Sequence, residues 1–198
     1  MRGADLLAWL STLAPDARDV AVEGYLGIAA GAEPDAPGEH LIGYHASGVA
    51  PILRALEEVP VTRDDVVVDL GAGLGKVVLL ARLLTGARVH GIEIQAALVD
   101  RARAAAERLG VEATFSCADA RAADLDDGTV FFLYAPFSGP VLARVLGRLH
   151  EVAKRRAIVV CALGIDVDRG ASWLVDRTID SFWLTIYDSV VPGVARRP

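Results

Sequence analysis

The sequence predicts an α/β fold: a mostly parallel sheet ending in one antiparallel hairpin, with helices on both faces and a helical cap at the N-terminus. Three observations carry that reading. From Val61 onward, short apolar runs alternate with helix-periodic segments, the order of parallel strands joined by right-handed crossovers. The run Val66-Val67-Val68 is β-branched and has no polar face, as in a strand covered by helices on both sides. Runs at Trp173–Val175 and Phe182–Tyr187 flank residues 176–180 and read as an antiparallel pair.

The first third of the chain is helical in pattern. Leu6, Leu7, Leu10 and Leu13 recur at helix spacing over residues 4–14, and Val20, Val22, Leu26 and Ile28 do so over about 16–30. Pro15 separates the two, since proline is tolerated at a helix start but not inside one. Residues 31–38 are rich in Gly, Pro and acid and mark a loop. His40, Tyr44 and His45 follow closely, and Ser47 is placed to cap a helix running to about Val59. Residues 1–60 therefore read as a cap and residues 61–198 as the core.

In the core, the first strand ends at Asp69 and its helix runs from Lys76 to about Leu84. The second strand, residues 87–93, ends in Glu93. The alanine-rich helix after it, roughly 95–109, closes at Gly110, a residue type suited to the left-handed C-terminal position. A third strand, residues 112–117, runs into Ala118-Asp119-Ala120. The fourth, residues 129–134, runs into Ala135-Pro136-Phe137, then a helix to about Val152. The fifth strand spans residues 157–163.

Between the first strand and its helix lie Gly71, Gly73 and Gly75. Glycines there allow a tight turn and a close backbone approach to a ligand. The helix N-terminus that follows favours an anionic ligand group. Together these make a site for a nucleotide-type cofactor. The dinucleotide fingerprint G-x-G-x-x-G fails because its third glycine falls on Lys76. The phosphate loop of NTPases fails because Leu70 replaces its first glycine and Val77 its hydroxyl.

What remains, D-x-G-x-G-x-G over Asp69 to Gly75, resembles motif I of the class I (seven-strand, Rossmann-like) S-adenosylmethionine-dependent methyltransferases, and the strand order over residues 61–190 resembles their core. The resemblance implies S-adenosyl-L-methionine as cofactor, bound by Asp69, Gly71, Ala72, Gly73, Gly75, Glu93, Ile94, Asp119 and Ala120. Glu93 would take the ribose hydroxyls, Asp119 the adenine amino group, and the Ala120 N–H a ring nitrogen. Asp69 and the glycine turn would hold the methionine portion. Tyr134-Ala135-Pro136-Phe137 occupies the place of motif IV, where amine-methylating relatives carry an Asn that is missing here. Tyr44, with the helix and glycine motif after it, is also similar in order to the non-SET histone lysine methyltransferases. Tyr44, His45, Tyr134, Pro136 and Phe137 are the acceptor-side candidates, with His40 a second possible base.

The chain has 198 residues, enough for one sizeable core. Mean hydropathy is +0.39, but no apolar stretch approaches the roughly 18 residues of a membrane span. A net charge of −6 argues against a nucleic-acid partner, and Lys154-Arg155-Arg156 reads as a helix C-terminal cap. Cys117 and Cys161 lack metal or redox spacing and read as buried thiols of a cytoplasmic protein. No metal ligand set is expected. The acceptor is expected to be a protein side chain or small molecule. Two alternatives stand beside this reading: a non-catalytic module that binds S-adenosylmethionine or S-adenosylhomocysteine, and a Rossmann NAD(P)-binding protein.

Overall fold

The computed structural model describes residues 1–28, 38–41, 43, 47–165, 167, 171–177 and 183–195. Three helices, α1 (Gly3–Thr12), α2 (Arg18–Leu26) and α3 (Val49–Glu58), precede the sheet. Then follow β1 (Val66–Leu70), α4 (Lys76–Thr85), β2 (Arg88–Glu93), α5 (Ala96–Leu109), β3 (Thr114–Cys117) and β4 (Val130–Tyr134). The chain closes with α6 (Gly139–Ala153), β5 (Val159–Leu163), β6 (Leu174–Asp176) and β7 (Leu184–Ser189).

The described strands form one sheet in the order β3-β2-β1-β4-β5-β7-β6. Neighbours from β3 to β5 are parallel, while β7 runs antiparallel to both β5 and β6. The order reverses between β1 and β4, so the crevice at their carboxyl ends is the natural ligand position.

Alternation along each central strand feeds two cores. Val67, Phe132, Val159 and Cys161 join one with α1 to α5, whereas Val66, Val68, Phe131, Leu133 and Val160 join another with α6. Both faces are covered, which is why these strands read as uninterrupted apolar runs. Helices α1, α2 and α3 pack on α4 and share its core.

Several local expectations change. Leu7 and Val20 stay exposed. The second helix ends at Leu26 because Gly27 takes the left-handed conformation, φ 66°. Ser47 does not cap α3: Gly48 is the N-cap, and the Val49 N–H donates instead to Asp19 Oδ1 of α2 at 2.8 Å. Cys161 is buried, but Cys117 is exposed because β3 is the edge of the sheet. Arg155 and Arg156 reach Asp126 Oδ1 and the Asp127 carbonyl, not the end of α6. Gly110 does close α5, at φ 59°. Residues 178–182, between the paired β6 and β7, lie outside the described residues.

Candidate cofactor and acceptor site

Strand β1 delivers Asp69 and then stops in a turn that only glycines accommodate. Gly71, Gly73 and Gly75 have φ of 91°, 52° and 82°. The Gly71 and Ala72 N–H groups both donate to the Ile92 carbonyl, at 2.8 and 3.0 Å, and Gly75 N–H donates to the Ala72 carbonyl at 2.7 Å. The missing side chain at Gly75 serves packing, since a Cβ there would lie 2.8 Å from the Phe115 ring. At Gly71 the close neighbour is Pro136, whose Cβ would lie 2.4 Å from the added one.

Glu93, the last residue of β2, braces this turn. Its Oε2 accepts the Gly73 N–H at 3.0 Å and its Oε1 accepts the Gln95 N–H at 2.9 Å. Each oxygen keeps acceptor capacity for a further donor. Asp69 lies buried, and burial, with the Glu93 charge added, pushes its carboxyl up to about 8. Asp119, just beyond β3, is gripped by Arg121. The Arg121 guanidinium donates to both its oxygens, at 2.5–3.0 Å, and holds its carboxyl below the usual range.

The opposite wall comes from the end of β4. Ala135 adopts φ 36°, uncommon for a non-glycine residue, and its N–H donates to the Leu163 carbonyl of β5 at 3.0 Å. That bend turns Pro136 toward Gly71. Phe137 bridges to Leu41, and Ser138 N–H donates to the His40 carbonyl at 3.0 Å.

A cleft of about 640 Å³, part of it open solvent, lies between these walls. It gathers eight of the residues singled out in the sequence: Gly71, Glu93, Ile94, Asp119, Ala120, Tyr134, Pro136 and Phe137. Asp69, Ala72, Gly73 and Gly75 build the turn behind it and do not line it. The His40 ring stands against Gly139 at the start of α6, outside the lining. Tyr44 and His45 lie outside the described residues, although neighbouring Gly43 lines the cleft. Leu41, Gln95 and Val141 of the lining carry no signal in the sequence, whereas Arg121, which grips Asp119 without lining the cleft, follows that acid by only two residues. His90 bonds Ser116 Oγ at 2.8 Å and His150 stacks on Trp173, both away from the cleft.

The arrangement suits an adenosyl sulfonium. Two strand-end carboxylates line one wall, Glu93 with acceptor capacity to spare and Asp119 with both oxygens already engaged by Arg121, and aromatic and apolar groups line the other. Among the described residues, no helix is long and apolar enough to cross a membrane.

A family described as "Methyltransferase domain" matches residues 67–156, which run from β1 to just past α6 and contain the glycine turn and all of the cleft lining except Leu41 and Gly43. An uncharacterised protein of Methanocaldococcus jannaschii is 36% identical over 64 residues; the match spans 32% of this chain and only 28% of that relative. Among solved structures, the RNA methyltransferase from Salinibacter ruber in complex with S-adenosyl-L-homocysteine is similar at TM-score 0.61 and 32% identity. That likeness covers 75% of this chain and 95% of the other. A mutant of MtNAS in complex with S-adenosylmethionine shares the fold at TM-score 0.57 and 16% identity, over 72% of this chain and 63% of its own. Sheet order, glycine turn and a relative matched over nearly its whole length agree: the chain belongs to the class I S-adenosylmethionine-dependent methyltransferases.

Proposed function

We propose that this chain binds S-adenosyl-L-methionine in the cleft and moves its methyl group, by in-line displacement, to a protein side chain or a small molecule. The observation that carries this reading is the single cleft joining Glu93, Asp119 and Ala120 on one side to Tyr134, Pro136 and Phe137 on the other. When bound, the cofactor supplies a methyl group on a good leaving sulfur, so the protein contributes alignment and exclusion of water. Glu93 accepts from the ribose hydroxyls while keeping its bonds to the glycine turn. Asp119 and the Ala120 N–H receive the adenine edge. Asp69, Ala72 and the turn glycines hold the methionine end near the start of α4.

Tyr134 and Phe137 wall the methyl path and face the sulfonium with their rings. Tyr44 and His45 belong to the acceptor side in this reading, with His45 taking a proton from the acceptor, since the His40 ring stands against Gly139 outside the cleft lining. Residues 1–60 then act as the cap from which the acceptor wall is drawn.

A nucleic-acid acceptor is the second reading, favoured by the likeness to an RNA methyltransferase. The net charge of −6 opposes it, because phosphate backbones are gripped mainly by Lys and Arg. The deciding experiment incubates the protein with methyl-labelled cofactor and a cell lysate, then digests with protease or nuclease. Label released by protease, or found in the small-molecule fraction, is expected. Label released by nuclease alone would transfer the assignment to a nucleic acid. Tight cofactor binding with no labelled product would favour a non-catalytic binding module, and NADH binding in its place would favour a dinucleotide protein.

A further inference from the structure

Lys76 has no part in the chemistry above, yet it is one of the few buried charges among the described residues, only 4% exposed. It opens α4 directly behind Gly75, at the helix end where the dipole disfavours a cation. Its ammonium turns away from the cleft toward α2. There it donates to Glu23 Oε1 at 2.5 Å and to the Ser47 carbonyl at 2.7 Å, with Asp19 Oδ1 at 3.4 Å. Asp19 Oδ1 also accepts the first N–H of α3, from Val49. One cation thus joins the glycine-turn helix, α2 and the point where the chain enters α3.

Described residues upstream of Ser47 reach the cleft. Leu41 and Gly43 line it, Leu41 bridges Phe137, and the His40 carbonyl accepts the Ser138 N–H. Leu41 and His40 are thus fastened to the β4–α6 loop, and Ser47 to α4. The second fastening is the Lys76 ammonium.

We propose that Lys76 is a positioning residue for the cofactor cleft: by holding Ser47 against α4, it sets where Leu41 and Gly43 stand on the outer wall. The proposal rests on the reading of this cleft as the S-adenosylmethionine site. A lysine that only braced α2 on α4 would support stability and leave ligand affinity alone, and that difference is measurable.

The test titrates S-adenosylhomocysteine into the wild type, Lys76→Arg, Lys76→Met and Lys76→Met/Glu23→Leu by calorimetry, well below the lowest Tm. Hydrogen exchange is followed in parallel over residues 38–48 and over β1. Losing a charge-assisted anchor is expected to raise Kd about tenfold or more in both Met variants, with partial rescue by Arg. Exchange over residues 38–48 is expected to quicken while β1 stays protected. A folded Met variant with wild-type Kd and unchanged exchange over 38–48 overturns the proposal, whatever happens to Tm. The double variant removes the stranded carboxylate and guards against a single variant that fails to fold. Glu23→Gln, which weakens the anchor without removing the lysine, serves if neither Met form folds and must shift Kd the same way. A wild type that does not bind S-adenosylhomocysteine overturns the reading of the cleft itself, and this proposal with it.

Discussion

Asp69 is a carboxyl held out of water beside a second carboxylate, and its titration is open to direct measurement. Its folded pKa, about 8, lies above the ordinary value of 3.8. Between those values the native protein holds a proton that the unfolded chain has released. Stability is therefore expected to fall as pH rises from about 4 to about 8 and to level off above that. Asp69→Asn should flatten this slope, read as urea midpoints across the window; an unchanged slope would place the titration elsewhere. Glu93 supports a second prediction. Glu93→Ala should weaken S-adenosylmethionine binding by about 1.5–3 kcal/mol in calorimetry, the range for hydrogen bonds to charged groups. Glu93→Gln, which keeps one acceptor oxygen, should lose less. The acids at the strand ends were legible in the sequence because a carboxylate closing an apolar run stands out. That Glu93 holds the Gly73 N–H was not, since the bond spans 20 residues and exists only once the turn has its shape. The sequence shows Lys76 only as a helix start standing where a dinucleotide fingerprint needs glycine, because its partners lie 29 to 57 residues away.

At the scale of elements, the site depends on how closely the turn after β1 meets the loop after β4. Gly71 makes that approach possible, with φ of 91° and Pro136 in the space a side chain would need. Gly71→Ala should cost about 1–3 kcal/mol of stability from backbone strain alone, measured by urea unfolding. It should also reduce S-adenosylhomocysteine affinity, because the two walls must part. Strands β1, β4 and β5 and helices α4 to α6 were legible because local pattern and burial agree: two covered faces produce unbroken apolar strands. The entry to α3 was misread for the opposite reason. Ser47 is the right residue type for a cap, but the acceptor actually used is Asp19, brought there by the packing of α2. Cys117 was misplaced because an edge strand and a central strand can share one composition, and only sheet order distinguishes them.

For the whole molecule, two apolar layers fix the sheet, and the net charge colours what approaches it. Phe131, fully buried on the α6 side of β4, is expected to cost about 3–5 kcal/mol on truncation to Ala, by urea unfolding. A chain of net charge −6 attracts cationic acceptors and repels polyphosphates. With a lysine-rich protein acceptor, the initial rate should fall as ionic strength rises from about 0.01 to about 0.15 M, where the Debye length shrinks from about 30 to about 8 Å. A rate that climbs with salt would argue against a basic acceptor. The most direct measurement of all is a crystal structure of the protein with S-adenosylhomocysteine. The expected result is the ribose at Glu93, the adenine beside Asp119 and Ala120, and the sulfur turned toward Tyr134 and Phe137. Density for the ligand outside this cleft, or in it with Glu93 and Asp119 untouched, would contradict the assignment.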